Sequence, residues 1–185
     1  MYTKIKLTEL SMAFFIPDYF CRTVYDIPLS YFSEHGTKLA VLDIDNTLVT
    51  YDDEYPTERN IEWFAALRKI GADIVFVSNN HEPRVRKYAE AAGYDYYSEA
   101  SKPFPRCLRD AMKKRSLLPS QCCVIGDQIF TDVLCAHSAG CGAILVEPIK
   151  DLTSVFVRFK RMCERPLLKI YISKQKKVKK RGDLK

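Results

Sequence analysis

The chain has 185 residues, 47% hydrophobic and 28% charged, proportions that exclude a disordered protein and fit one globular domain. Its longest uncharged stretch, Val133–Val146, contains His137, Ser138 and two glycines; this excludes a spanning helix, which needs about 20 mostly apolar residues. The net charge of +6 sits at one end, because Ser173–Lys185 carries seven basic residues and one acid while the rest is neutral.

The first 36 residues are aromatic-rich and include Phe14, Phe15, Tyr19, Phe20, Tyr25, Tyr31 and Phe32. They are expected to pack on the core as a segment of their own. The patch Leu10–Ile16 follows Glu9 and is too short for a secretory leader. Leu39–Asp43 then reads as a buried strand, short, continuous and apolar. Thr57–Ile70 reads as a helix with Trp63, Ala66, Leu67 and Ile70 on one face and Gly71 as its stop. Asp73–Ser78 is a second strand, and Glu82–Ala92 a helix closed by Gly93. Tyr94–Tyr97 is a weaker strand signal, followed by a helical pattern over Pro103–Leu117. Cys122–Asp127, a helix Ile129–Ala139 closed by Gly140, and Gly142–Val146 complete the alternation. Strand and helix in turn predict an α/β fold with a parallel sheet and right-handed crossovers. Leu152, Val155, Phe156, Phe159 and Cys163 fall on one helical face that packs on the sheet. Residues 166–185 read as a solvated basic tail, which leaves 37–165 as the domain. The seven cysteines include no CxxC and no zinc-ligand spacing; they read as buried thiols in a reducing cytosol.

In an open parallel sheet, ligands bind at the carboxyl ends of the strands. Here those ends read Asp43-Ile44-Asp45-Asn46-Thr47, Ser78-Asn79-Asn80 and Gly126-Asp127-Gln128, with Asp132 five residues beyond Asp127 and Lys102 before a helix. Carboxylates brought together this way raise one another's pKa unless a cation joins them. Oxygen-only ligands suit Mg²⁺, which keeps waters and a substrate phosphate. Lys102 is a point charge for phosphate, and Ser78 and Asn79 lie where donors to phosphate oxygens are needed. Asp43, at the strand end, fits a nucleophile that forms an aspartyl phosphate. Asp45, two residues on, fits an acid that protonates the leaving alcohol and a base that activates water. Asn46 and Thr47 are expected to shape the turn through side-chain-to-backbone bonds. His81 reads as structural or exposed, and Asp52, Asp53 and Glu54 as a solvated turn.

The ordered set DxDNT, Ser, Lys and GDQxxTD resembles the haloacid dehalogenase-like (HAD) phosphatases. The resemblance implies a Rossmannoid three-layer fold, Asp43 as nucleophile, and Asp45 as acid and base. It also implies Mg²⁺ held by Asp43, the Asp45 backbone carbonyl and Asp127, with Asp132 in support, directly or through water. Pro17-Asp18-Tyr19, Val24-Tyr25-Asp26-Ile27, LDIDNTLV, VSNN, Lys102-Pro103, IGDQIFTDV and Glu147-Pro148-Ile149 are similar to the YqeG family of HAD subclass IIIA over about residues 14–165. That family is similar to phosphatidylglycerophosphate phosphatases of phosphatidylglycerol synthesis. No cap domain fits between Leu48 and Glu58 or between Gly93 and Lys102, so the site is expected to be open. An open site suits a large substrate or a phosphate presented on a surface, with an oligomer or a membrane completing the pocket.

The reading is therefore a Mg²⁺-dependent phosphomonoester hydrolase acting on phosphatidylglycerophosphate, cytoplasmic or peripheral at the inner face of a membrane. The basic C-terminus fits contact with anionic lipid, contact with RNA, or solubility alone. A soluble metabolite, a nucleotide or a nucleic-acid phosphate keeps the chemistry with a different substrate. A non-enzymatic phospho-acceptor is the alternative of another class; Asp45 argues against it because a base so near the nucleophile shortens the life of an acyl phosphate.

Overall fold

The computed structural model describes residues 14–150 and, beyond them, Pro166 alone. The expected amphipathic helix Leu152–Cys163 and the basic tail lie outside the described residues. The backbone forms β1 (Tyr19–Cys21), α1 (Leu29–Glu34), β2 (Leu39–Leu42), α2 (Glu58–Lys69), β3 (Asp73–Val77), α3 (Glu82–Ala92), β4 (Asp95–Tyr97), α4 (Arg106–Lys114), β5 (Cys122–Gly126), α5 (Leu134–Ala139) and β6 (Gly142–Val146). All six strands are parallel, in the order β1-β6-β5-β2-β3-β4.

Alternation along the strands makes two cores. Ala40, Leu42, Ile74, Phe76, Cys123, Ile125, Ile144 and Val146 face one side, where Phe32, Trp63, Phe64, Leu67, Val85, Tyr88 and Ala89 of α1, α2 and α3 cover them. Leu39, Val41, Val75, Val77, Cys122, Val124, Ala143 and Leu145 face the other, under Leu108, Ala111, Met112, Cys135 and Ala136 of α4 and α5. With both faces covered, the central strands are apolar runs once past Asp73 at the start of β3, as the sequence has them. The result is a three-layer sandwich. Phe76 sits edge-on to Phe64 and Tyr88 with ring centroids 5.6 and 5.3 Å apart. Burying each such side chain contributes about 1.5–3 kcal/mol.

Several boundaries differ from the sequence pattern. The aromatic segment supplies β1, which pairs with β6 at the sheet edge through Tyr19↔Ile144; three residues are too few to show a period. On α2 the buried face is Asn60, Trp63, Phe64 and Leu67, with Ala66 and Ile70 only half-buried. Asn60 is buried because it closes the helix start with Thr57 and also donates to Leu48 O (3.3 Å) and Tyr25 Oη (2.8 Å). It ties α2 to the loop that follows β2. Helix α4 starts only at Arg106, since Pro103 and Pro105 bias the residues before them away from helical angles. The segment after β5 begins as a π-helical turn, Ile129–Val133, before α5. Helices α3 and α5 end on Gly93 and Gly140, both at φ 78°, the left-handed cap that glycine takes without strain.

Candidate active site

Register levels the three central strands. Leu42 lies beside Phe76 of β3 and Ile125 of β5, so Asp43, one residue on, and Ser78 and Asp127, each two residues on, emerge at one edge, with Asp45 in the turn beyond Asp43. Sheet order reverses here between β2 and β5, the point at which an open α/β sheet leaves a crevice. A pocket of about 300 Å³ occupies it, lined by Asp43, Asp45, Ser78, Asn79, Lys102 and Asp132. Tyr51, Asn80, Gln128 and Thr131 complete its wall. Asp127 is buried outside that lining, with a carboxylate oxygen within 4.8 Å of those of Asp43 and Asp132.

Lys102 joins the loops. Its Nζ donates to Asp43 Oδ1 at 2.6 Å and to Asp132 Oδ1 at 2.7 Å, with all three side chains buried. Asn79 fixes the lysine backbone: its Oδ1 accepts from Lys102 N (2.7 Å) and its Nδ2 donates to Lys102 O (3.0 Å). Asp132 Oδ2 accepts from Gln128 N (3.1 Å) and Thr131 Oγ1 (3.2 Å). Gly126 makes room for it, since a Cβ there would lie 2.3 Å from Asp132 Cγ. Burial pushes the Asp43 carboxyl up to about 8, and Asp132 and Asp127 add to this against the pull of Lys102. Burial also opposes the charge on Lys102, but Asp132 and Asp43 outweigh it and hold its pKa above the usual lysine range. Asp43 and Asp132 thus share one ammonium with the Asp127 carboxylate close by, and the cluster on its own keeps a proton that a cation would displace. The donors are all oxygens, the set a hard divalent cation takes.

Asp45 has different partners. Arg84 of α3 donates to its Oδ1 from Nε (3.2 Å) and Nη2 (2.9 Å), and Asn80 Nδ2 donates to its Oδ2 (2.9 Å). Thr47 does not cap the turn; its hydroxyl donates to Asp43 Oδ2 at 3.1 Å and reaches Asp127 Oδ1 at 3.5 Å. Asn46, at φ 68°, bonds the backbone of Lys150 through both side-chain atoms, at 2.9 Å each, rather than its own turn. His81 is exposed beside Glu99, away from the pocket wall. Asp52, Asp53 and Glu54 are exposed and partnered by Lys150, Thr50 and Lys87. Arg84 and Tyr51 were not singled out from sequence, and Asn80, Gln128 and Thr131 were named only within the strand-end motifs, with no role of their own. Arg84 carried a usable signal: it lies six residues after Ser78, on the first turn of the next helix.

The fold resembles solved HAD-type structures. A protein from Streptomyces avermitilis described as a HAD family hydrolase aligns over 63% of this chain and 75% of its own, at 18% identity and a TM-score of 0.51. A hypothetical protein from Xanthomonas campestris aligns over 67% and 71%, at 16% identity and a TM-score of 0.51. The HAD-hydrolase-like family pattern matches residues 99–148. The fold is thus of the HAD-like α/β class, with no large cap among the described residues.

Within that class, the Probable phosphatase YqeG of Bacillus subtilis (strain 168) is 37% identical over 155 residues, 84% of this chain and 90% of the relative. The chain belongs to the YqeG family of HAD-type phosphatases. Among the described residues no helix is long and apolar enough to cross a membrane.

Proposed function

We propose that the protein is a Mg²⁺-dependent phosphomonoester hydrolase that forms an aspartyl phosphate on Asp43. The observation that carries this is the buried cluster of Asp43, Asp127 and Asp132, in which Asp43 and Asp132 share the Lys102 ammonium and line an open pocket. Asp43 and Asp127, with the Asp45 carbonyl, would hold the cation; Asp132, bonded to Lys102, Gln128 N and Thr131, would support from behind. When bound, Mg²⁺ supplies charge neutralisation at the transferring phosphoryl group and lets Asp43 stay ionised.

In the first step a carboxylate oxygen of Asp43 bonds to phosphorus while the bond from phosphorus to the leaving oxygen breaks. Asp45 gives that oxygen its proton. In the second step Asp45 takes a proton from a water, which attacks the same phosphorus and frees Asp43 and inorganic phosphate. Lys102 and the Ser78–Asn79 loop hold the phosphoryl oxygens, with Lys102 already aimed by Asn79 and Asp132.

With no cap among the described residues, a large or surface-held substrate is favoured. Tyr51, 47% exposed, stands on the pocket wall as an aromatic surface beside the site. With the family's similarity to phosphatidylglycerophosphate phosphatases, this makes phosphatidylglycerophosphate the first substrate to test, with the basic C-terminus as a contact to anionic lipid. The test is Mg²⁺-dependent phosphate release from that lipid in mixed micelles, beside an aryl phosphate, with Asp43→Asn as control. Preference for the lipid supports the whole reading. Turnover of the aryl phosphate alone keeps the chemistry and discards the lipid. No metal-dependent turnover of either, or turnover surviving Asp43→Asn, overturns the mechanism.

A further inference from the structure

We propose that Arg84 is the positioning residue for Asp45, and that together with Asn80 it selects Oδ2 as the oxygen that carries the proton. This deepens the reading of Asp45 as acid and base, and rests on it. An ionised carboxylate offers about four acceptor positions, two on each oxygen. Arg84 fills both positions on Oδ1, through Nε and Nη2. Asn80 fills one on Oδ2. The remaining position is on Oδ2, on a side chain that lines the pocket.

Both holders are themselves fixed. The Asn80 amide has its Oδ1 occupied by His81 N at 2.8 Å, and its own backbone N–H donates to Ser78 Oγ at 3.1 Å. Arg84 stands on the first turn of α3, and its Nη2 also donates to Thr50 O at 3.2 Å. It therefore bridges the loop after β2 to the helix after β3. The pair is secluded, with side-chain exposures of 16% for Arg84 and 6% for Asp45. Arg84 is absent from the pocket wall, and its hydrogen bonds, from Nε and Nη2, go to Asp45 and Thr50. A lysine could supply the charge but not the planar fork that occupies Oδ1 from two nitrogens.

The consequence is directional. The proton given to the leaving oxygen departs from Oδ2, and the proton taken from water returns to it. Without Arg84 the carboxylate is free to rotate, and a displacement of about 1 Å costs about 10²-fold where a proton must be delivered.

The experiment reads first-turnover alcohol release from a series of aryl monophosphates, 4-nitrophenyl to phenyl phosphate, with Mg²⁺ present. The proteins are wild type, Asp45→Ala, Arg84→Ala, Arg84→Lys and the Asp45→Ala/Arg84→Ala double variant. A leaving group that needs no proton hides the loss of an acid, and a poor one exposes it. Arg84→Ala and Arg84→Lys are expected to stay within about threefold of wild type on 4-nitrophenyl phosphate and to lose about 10²-fold on phenyl phosphate. The double variant is expected to match Asp45→Ala, because Arg84 acts through that carboxylate. If Arg84→Ala fails to fold, Arg84→Lys carries the same comparison. An equal loss on every substrate, while Asp45→Ala steepens the dependence, overturns the proposal and leaves Arg84 structural. A flat loss for Asp45→Ala itself removes the acid assignment and the proposal with it.

Discussion

The two ends of the sheet treat carboxylates in opposite ways. At the amino end Asp73 and Asp95 open β3 and β4, and arginines surround them. Arg115 reaches Asp73 at 2.9 Å and Asp95 at 2.8 Å, and Arg68 reaches Asp73 at 2.6 Å. Partial burial works against the charge on Asp73, but Arg115 and Arg68 outweigh it and hold the carboxyl below its usual value. At the carboxyl end Asp43 and Asp132 share Lys102 with Asp127 close by, and Asp43 is pushed up to about 8. Charge pairing that is complete stabilises a fold. Charge pairing left short by design creates a place where a cation and a phosphoryl group are both needed.

Breaking the carboxyl end has the largest effect. Asp43→Asn is expected to cut turnover at least about 10⁴-fold, as removal of a nucleophile does. It should leave the metal-free melting temperature within a few degrees at neutral pH, because an amide replaces a carboxyl that already keeps its proton; a clear loss of stability would mean that Asp43 is a structural ion-pair partner. Lys102→Ala is expected to lower the rate about 10²–10³-fold. Left unpaired, the carboxylates should cost about 3–5 kcal/mol by denaturant titration without metal. Gly126→Ala forces Asp132 away from β5, with an expected loss of about 1–3 kcal/mol and about 10²-fold in rate; retained activity would show that Asp132 is dispensable. Arg115→Ala, at the other end, should cost about 1 kcal/mol and leave kcat/KM unchanged.

Acid and base sharpen the contrast further. The folded Asp43 keeps a proton that the unfolded chain, with its ordinary value of 3.8, has lost. Its contribution in metal-free protein is therefore full below about pH 4 and lost as pH rises through about 8, and stability falls over that range. Asp73 runs the other way: its contribution is present above 3.8 and lost as pH falls through its lower folded value. Melting curves of the metal-free wild type and of Arg115→Ala should converge at acid pH. Adding Mg²⁺ should stabilise the wild type most at the alkaline end.

The central strands were legible because a strand buried on both faces must be an unbroken apolar run, and Leu39–Leu42, Cys122–Gly126 and β3 after its opening Asp73 are such runs. Site residues adjacent to those runs were legible for the same reason: strand ends in register bring Asp43, Ser78 and Asp127 to one edge. What sequence left out depends on long-range partners. β1 has three residues and exists because β6 offers it an edge. Asn46 meets Lys150 across 104 positions. Thr47 turns toward Asp43 and Asp127 because their carboxylates outcompete the local backbone as acceptors. Arg84 sits in an ordinary charged helix start, and only the fold sets it against Asp45.

The most direct measurement is an acid quench of the enzyme during turnover of a phosphomonoester with Mg²⁺, followed by peptide mass analysis. A phosphoryl adduct on the peptide that carries Asp43, absent in Asp43→Asn and accumulating in Asp45→Ala, is the expected result. Turnover with no adduct on that peptide, or an adduct on another carboxylate, would contradict Asp43 as the nucleophile.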